Sequence, residues 1–82
     1  MAPDTTKDKQ AHLDLLKKRA EEIYDEMYEA GGPAAAGAYF AEVKELLHQA
    51  IGLAREMGRE EETVEISARL EHIRKVYEHQ MQ

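Results

Sequence analysis

Apolar side chains recur at intervals of three and four residues along nearly the whole chain, and the recurrence breaks twice, at Gly31-Gly32-Pro33 and at Gly58. Spacings of three and four place side chains on one face of a helix, whereas a half-buried strand needs alternation at two. Glycine just past a helix end and proline in the next first turn punctuate helix, loop, helix. The chain therefore reads as three helices over about residues 6–30, 33–57 and 60–80. In the first, Leu13, Leu16, Ala20, Ile23, Met27 and Ala30 form one stripe, widened by Leu15, Tyr24 and Tyr28. In the second, Ala36, Tyr39, Phe40, Val43, Leu46, Leu47, Ala50, Leu53, Ala54 and Met57 occupy one arc, extended by Ile51. In the third, Thr63, Ile66, Leu70, Ile73, Val76 and Tyr77 do the same, and Met81 extends the pattern. No run alternates long enough for a sheet, so the expected class is all-α.

Eighty-two residues make one domain at most, expected as a frayed tail over 1–5 and a single three-helix domain over 6–82. Connections of two residues force antiparallel neighbours, which gives an up-down-up bundle or array. Asp4, Thr5 or Thr6 suit the first helix cap, Pro33 the first turn of the second helix, and Glu60, Glu61 and Glu62 the positive dipole end of the third.

The charge balance excludes several partners. Eleven Lys and Arg against seventeen Asp and Glu leave a net charge of -6, spread along the chain without a basic face, so a phosphate backbone would be repelled. The one basic cluster, Lys17-Lys18-Arg19, is followed by Glu21 and Glu22, which stand at pairing distance on the same helix and read as a solvated ion-pair face. Cysteine is absent, which removes disulfides and thiolate chemistry. The opening decapeptide has no apolar leader core, and no stretch approaches the roughly 20 apolar residues that span a bilayer, so the cytoplasm is the expected address and no membrane partner is expected.

The middle helix stands apart. Only Glu42, Lys44, Glu45, Arg55 and Glu56 are charged between residues 33 and 58, and off the main arc lie Ala34, Gly37, Ala38, Ala41 and Gly52, small enough for another backbone to come close. A helix this apolar is covered on more than one side, by its own neighbours or by another protein. The contact residues expected for a partner or a second copy are Tyr39, Ala41, Lys44, His48, Gly52 and Arg55, on the side away from the intramolecular core. Tyr24 and Tyr28 suit a core edge.

Catalytic and metal chemistry find little footing. Ser67 is the only serine and falls mid-helix, the four histidines are dispersed, and the glycines form no phosphate-cradling loop. Glu45-Leu46-Leu47-His48 is one Glu-x-x-His, the spacing of carboxylate-bridged di-iron bundles. Folding the first helix back brings Lys17 and Lys18 opposite it, so only a symmetric dimer would complete such a site. His72 and His79 are seven apart on a polar face and read as solvated. Neither a cofactor nor a metal is expected.

His48 projects about 120–150° from the centre of the apolar arc and is expected to be exposed. The stretch from His48 to Gly58 resembles the phosphoacceptor segment of histidine phosphotransfer domains, four-helix bundles that relay phosphate between aspartate-bearing receiver domains. That family follows an exposed histidine with lysine at +3, glycine at +4, a small residue at +6 and glycine at +10. Gly52, Ala54 and Gly58 match, and Ile51 stands where the lysine belongs. The resemblance implies His48 as phosphoacceptor, with Lys44 or Arg55 left to balance the phosphoryl charge and a dimer to supply the missing helix.

A longer resemblance runs through Phe40, Val43, Leu46, Leu47, Ala50, Ile51, Leu53, Ala54, Met57 and Gly58, then Leu70, Ile73 and Tyr77. These look like the second helix of one tetratricopeptide unit and the first helix of the next, from arrays whose groove binds peptides or partner helices. Val43 replaces the usual small residue, and Arg74 stands where a packing glycine would be. The resemblance implies a tetratricopeptide-like array and a binding role. Taken with the charge-poor central helix, the expected function is a non-catalytic protein–protein interaction module, adaptor or self-assembling, occupied by a protein partner or a second copy. The alternative is a histidine phosphotransfer protein using His48.

Overall fold

A computed structural model describes residues 5–80, with side chains from residue 7. They form α1 (Thr5–Tyr28), α2 (Pro33–Glu56) and α3 (Glu60–Gln80), with no strand among the described residues. Residues 1–4 of the expected frayed tail, the capping side chains of Asp4, Thr5 and Thr6, and the continuation at Met81 lie outside the described residues; Thr5 itself opens α1.

The two breaks act as their chemistry dictates. Pro33 sits at the start of α2, where its missing N–H is one that no helical carbonyl would have bonded, and the Ala36 amide closes the first turn onto the Gly32 carbonyl at 3.0 Å. At the other end of α2, Gly58 takes φ +71, the left-handed conformation that costs glycine least. The Arg59 amide then reaches the Ala54 carbonyl at 2.9 Å and the Gly58 amide reaches Arg55 at 3.0 Å, the paired bonds of a Schellman stop. α1 stops at Tyr28, short of residue 30, because the Glu29 and Ala30 amides turn back to Glu26 and Met27 in tight i to i−3 bonds. α3 begins with Glu60, Glu61 and Glu62 at its positive end.

α2 is the central element and packs against both α1 and α3. The buried core is Leu13, Leu16, Ala20, Ile23, Tyr24 and Met27 of α1, Ala36, Val43, Leu47, Ala50 and Ala54 of α2, and Ile66 and Ile73 of α3. Four of these are alanines, which bring helix axes close but bury little area each. The larger contributions come from Leu13, Ile23, Met27, Val43 and Ile73, each worth about 1.5–3 kcal/mol on full burial. Two residues expected to widen the α1 stripe do not: Leu15 is 60% exposed and Tyr28 48% exposed. Leu15 lies two residues, or 200°, from Leu13 and so faces outward. Tyr28 stays at the flank, its hydroxyl 3.1 Å from that of Tyr24.

Candidate functional site

This packing leaves the outer face of α2 exposed. Ala34, Ala38, Ala41, Glu45, His48, Gly52 and Arg55 follow one another at spacings of four and three, opposite Ala36, Val43, Leu47, Ala50 and Ala54, and all seven are exposed. A Cβ placed on Gly52 would meet nothing within 4 Å, so the helix backbone itself is open to an approaching surface there. The His48 side chain makes no hydrogen bond or ion pair with any described residue. Glu45 accepts a 3.3 Å bond from the Gln49 amide one turn on. At the end of the face Glu56 lies 3.9 Å from Lys9 of α1.

The six residues singled out from the sequence divide. Ala41, Lys44, His48, Gly52 and Arg55 share the exposed side, with Lys44 at its edge beside α3, its Nζ 5.8 Å from the Phe40 ring centroid. Tyr39 does not belong with them: it is half-buried and packed against the core. Two residues separate it from Ala41, a rotation of 200° that sends it to the far flank. Gly37 is corrected as well. The room it leaves is taken by the chain's own Tyr77, whose hydroxyl would lie 3.0 Å from a Cβ there. Tyr77 in turn stacks on Phe40 with ring centroids 4.5 Å apart and planes 6° from parallel.

Lys17 and Glu21 also depart from expectation. They do not make a solvated pair along α1; both reach across to α3. Lys17 donates to Glu62 at 2.9 Å, and Glu21 receives two bonds from the Arg69 guanidinium, at 2.6 and 2.9 Å. Arg69 also lies over the Tyr24 ring, 5.1 Å from its centroid. Burial, reinforced by the Tyr28 hydroxyl, pushes the Tyr24 phenol up to about 12. The sequence signal for this seam was present as opposite charges one turn apart on α1, Lys17 then Glu21, mirrored by Glu62 and Arg69 on α3.

Chemically, the outer face offers one imidazole, one carboxylate and one guanidinium spread along some three turns of helix. Among the described residues no group of three or more His, Cys, Asp or Glu side chains converges as a metal site, and no helix is long and apolar enough to cross a membrane. His72, His79 and Ser67 are all exposed on α3. Comparison with protein-family models, with curated proteins and with solved structures finds no match to this chain.

Proposed function

We propose that this protein is a small, non-catalytic protein–protein interaction module that acts by self-association, with the outer face of α2 docking on the same face of a second copy. The observation that carries it is the pattern of that face. Its seven positions have the spacing of a coiled-coil seam, and they are self-complementary when the second helix runs antiparallel. One register then sets Glu45 of each copy beside His48 of the other, Ala41 beside Gly52 and Ala38 beside Arg55. Acid meets imidazole twice at the two-fold axis, and small residues meet on either side of it, so the backbones can approach closely. The tetratricopeptide-like pattern of α2 and α3 fits a binding role of this kind, and the cysteine-free composition fits a cytoplasmic address.

The test is the solution mass by light scattering at two protein concentrations about a hundredfold apart, since association follows mass action. A dimer at the higher concentration is expected, with Ala41→Glu and Gly52→Glu reverting to monomer while retaining helical content and a cooperative melt. A wild-type monomer at both concentrations rules self-association out, and unfolding of both variants means the face is internal to the monomer. Because the described chain holds no cysteine, the register has its own assay. Ala41→Cys mixed with Gly52→Cys should form a disulfide dimer, and neither variant alone should, because like positions lie roughly 16 Å apart along the paired axes.

A second reading is favoured by His48 alone: an exposed imidazole without a partner, with open space beside it at Gly52. As a phosphotransfer protein, its ring nitrogen attacks the phosphorus of a receiver's aspartyl phosphate. The P–N bond forms as the P–O bond to the carboxylate breaks, and the ring sheds its N–H proton to solvent. The expected product is acid-labile phosphate on His48, absent in His48→Gln. Failure of transfer from any phosphorylated receiver supplied removes this reading.

A further inference from the structure

We infer that α3 is an ionically latched arm, held against α1 by two sign-reversed ion pairs and able to open as a unit while α1 and α2 stay together. Three features of the seam lead there. First, α3 is the least anchored helix: only Ile66 and Ile73 of its side chains are buried, against six in α1 and five in α2. Second, α1 and α3 do not close over α2 along the seam. Between them lies a cavity of about 120 Å³ whose floor is Leu47 and Ile66 and whose rim is Lys17, Glu21, Glu65 and Arg69. Third, what spans that gap is charge: Lys17 to Glu62 at one side, Glu21 to Arg69 at the other, with Arg69 lying on the Tyr24 ring.

The order of the charges gives the latch its register. α1 and α3 run in the same direction, and the sequence along α1 is plus then minus where along α3 it is minus then plus. Sliding α3 by about one turn sets Glu62 against Glu21, or Arg69 against Lys17, and either alignment places like charges together. The pairs thus select one seating of α3 on the hairpin, which its short apolar stripe specifies only by periodicity. Their side chains are partly open to solvent, Arg69 at 40% and Glu21 at 45%, so dissolved ions reach and screen them. Release uncovers Leu47 and Ile66 together with the Phe40–Tyr77 stack. Ionic strength is therefore a control on how much apolar surface the protein presents, independent of what the outer face of α2 binds.

The experiment is amide hydrogen exchange on the full chain at about 20 mM and about 500 mM salt, where the screening length falls from some 20 Å to a few ångströms. Central α3 amides are expected to exchange about 3- to 10-fold faster at high salt, and similarly faster in Arg69→Gln at low salt, with central α1 amides unchanged. The double variant Glu21→Arg with Arg69→Glu reverses the second pair and should bring α3 exchange back toward the wild-type rate, a recovery that a general loss of packing would not produce. The inference is overturned if α1, α2 and α3 share a single exchange rate under all conditions, or if salt leaves the α3 rate unmoved. Should Arg69→Gln fail to fold, the salt series on the wild type decides alone.

Discussion

Alanine in place of Gly52 and alanine in place of Gly37 are the same chemical change in the same helix, and the structure assigns them different outcomes. Both positions lie in the interior of α2, where glycine costs about 0.8–1 kcal/mol relative to alanine. At Gly52 the new methyl enters open space, so the full gain is expected, with a rise in Tm of about 3–8 °C for a domain of this size. At Gly37 the methyl would stand 3.0 Å from the Tyr77 hydroxyl, closer than two such atoms rest, and Tyr77 is held by its stack on Phe40. Loosening that stack forfeits a contribution of about 0.5–1.5 kcal/mol, which offsets the helical gain and leaves Gly37→Ala neutral or destabilising. In a Tyr77→Phe background the obstructing oxygen is gone, and Gly37→Ala should recover the stabilisation seen at Gly52, a coupling of about 0.5–1 kcal/mol between the two sites. Urea unfolding followed by circular dichroism, at protein concentrations low enough to keep the chain monomeric, measures all five proteins. Equal stabilisation by the two alanines, with Tyr77 present or replaced, would refute the placement of Tyr77 over Gly37. Destabilisation by Gly52→Ala would show that the outer face of α2 is not open.

Ile73→Ala empties a fully buried site between helices and is expected to cost about 2–5 kcal/mol, visible as a large fall in the urea midpoint. Leu15→Ala and Val64→Ala remove side chains that are 60% and 66% exposed, and the same titration should place them within about 0.5 kcal/mol of wild type. Raising pH should destabilise the fold through Tyr24. Its folded-state pKa of about 12 lies above the unfolded value of 10.0, so the stabilisation is complete below pH 10 and disappears as pH climbs through about 12. Tyr24→Phe should lose less stability than the wild type over this interval. Parallel curves for the two proteins would mean that the phenol is not buried as described.

The helices, their boundaries to within two residues and most of the core were legible in the sequence. α1 shows why: Leu13, Leu16, Ala20, Ile23 and Met27 lie on one line because of their spacing, and that line is the one buried. Pro33 and Gly58 are equally local, one set by a ring that fixes φ and the other by the lack of a Cβ. Helical phase alone was enough to expect Ala41, Lys44, His48, Gly52 and Arg55 on the exposed side of α2. Phase did not settle Tyr39, which is half-buried against the core, because an amphipathic tyrosine at an arc's edge fits either side.

What the sequence determined by itself is thus the angle of every side chain about its own helix axis, because 3.6 residues per turn is a property of the backbone. Which neighbour stands at each angle was decided only by the tertiary structure. Gly37 and Gly52 are alike in sequence, yet one is covered by Tyr77 and the other faces open space, according to where α3 lies along α2. Lys17 and Glu21 had partners within reach on their own helix, and they took Glu62 and Arg69 because packing α1 and α3 on the same side of α2 brought those charges closer. Long charged side chains have no periodicity that selects a partner. They pair with whatever the packed apolar stripes carry to their ends, and that position is set by three helices together.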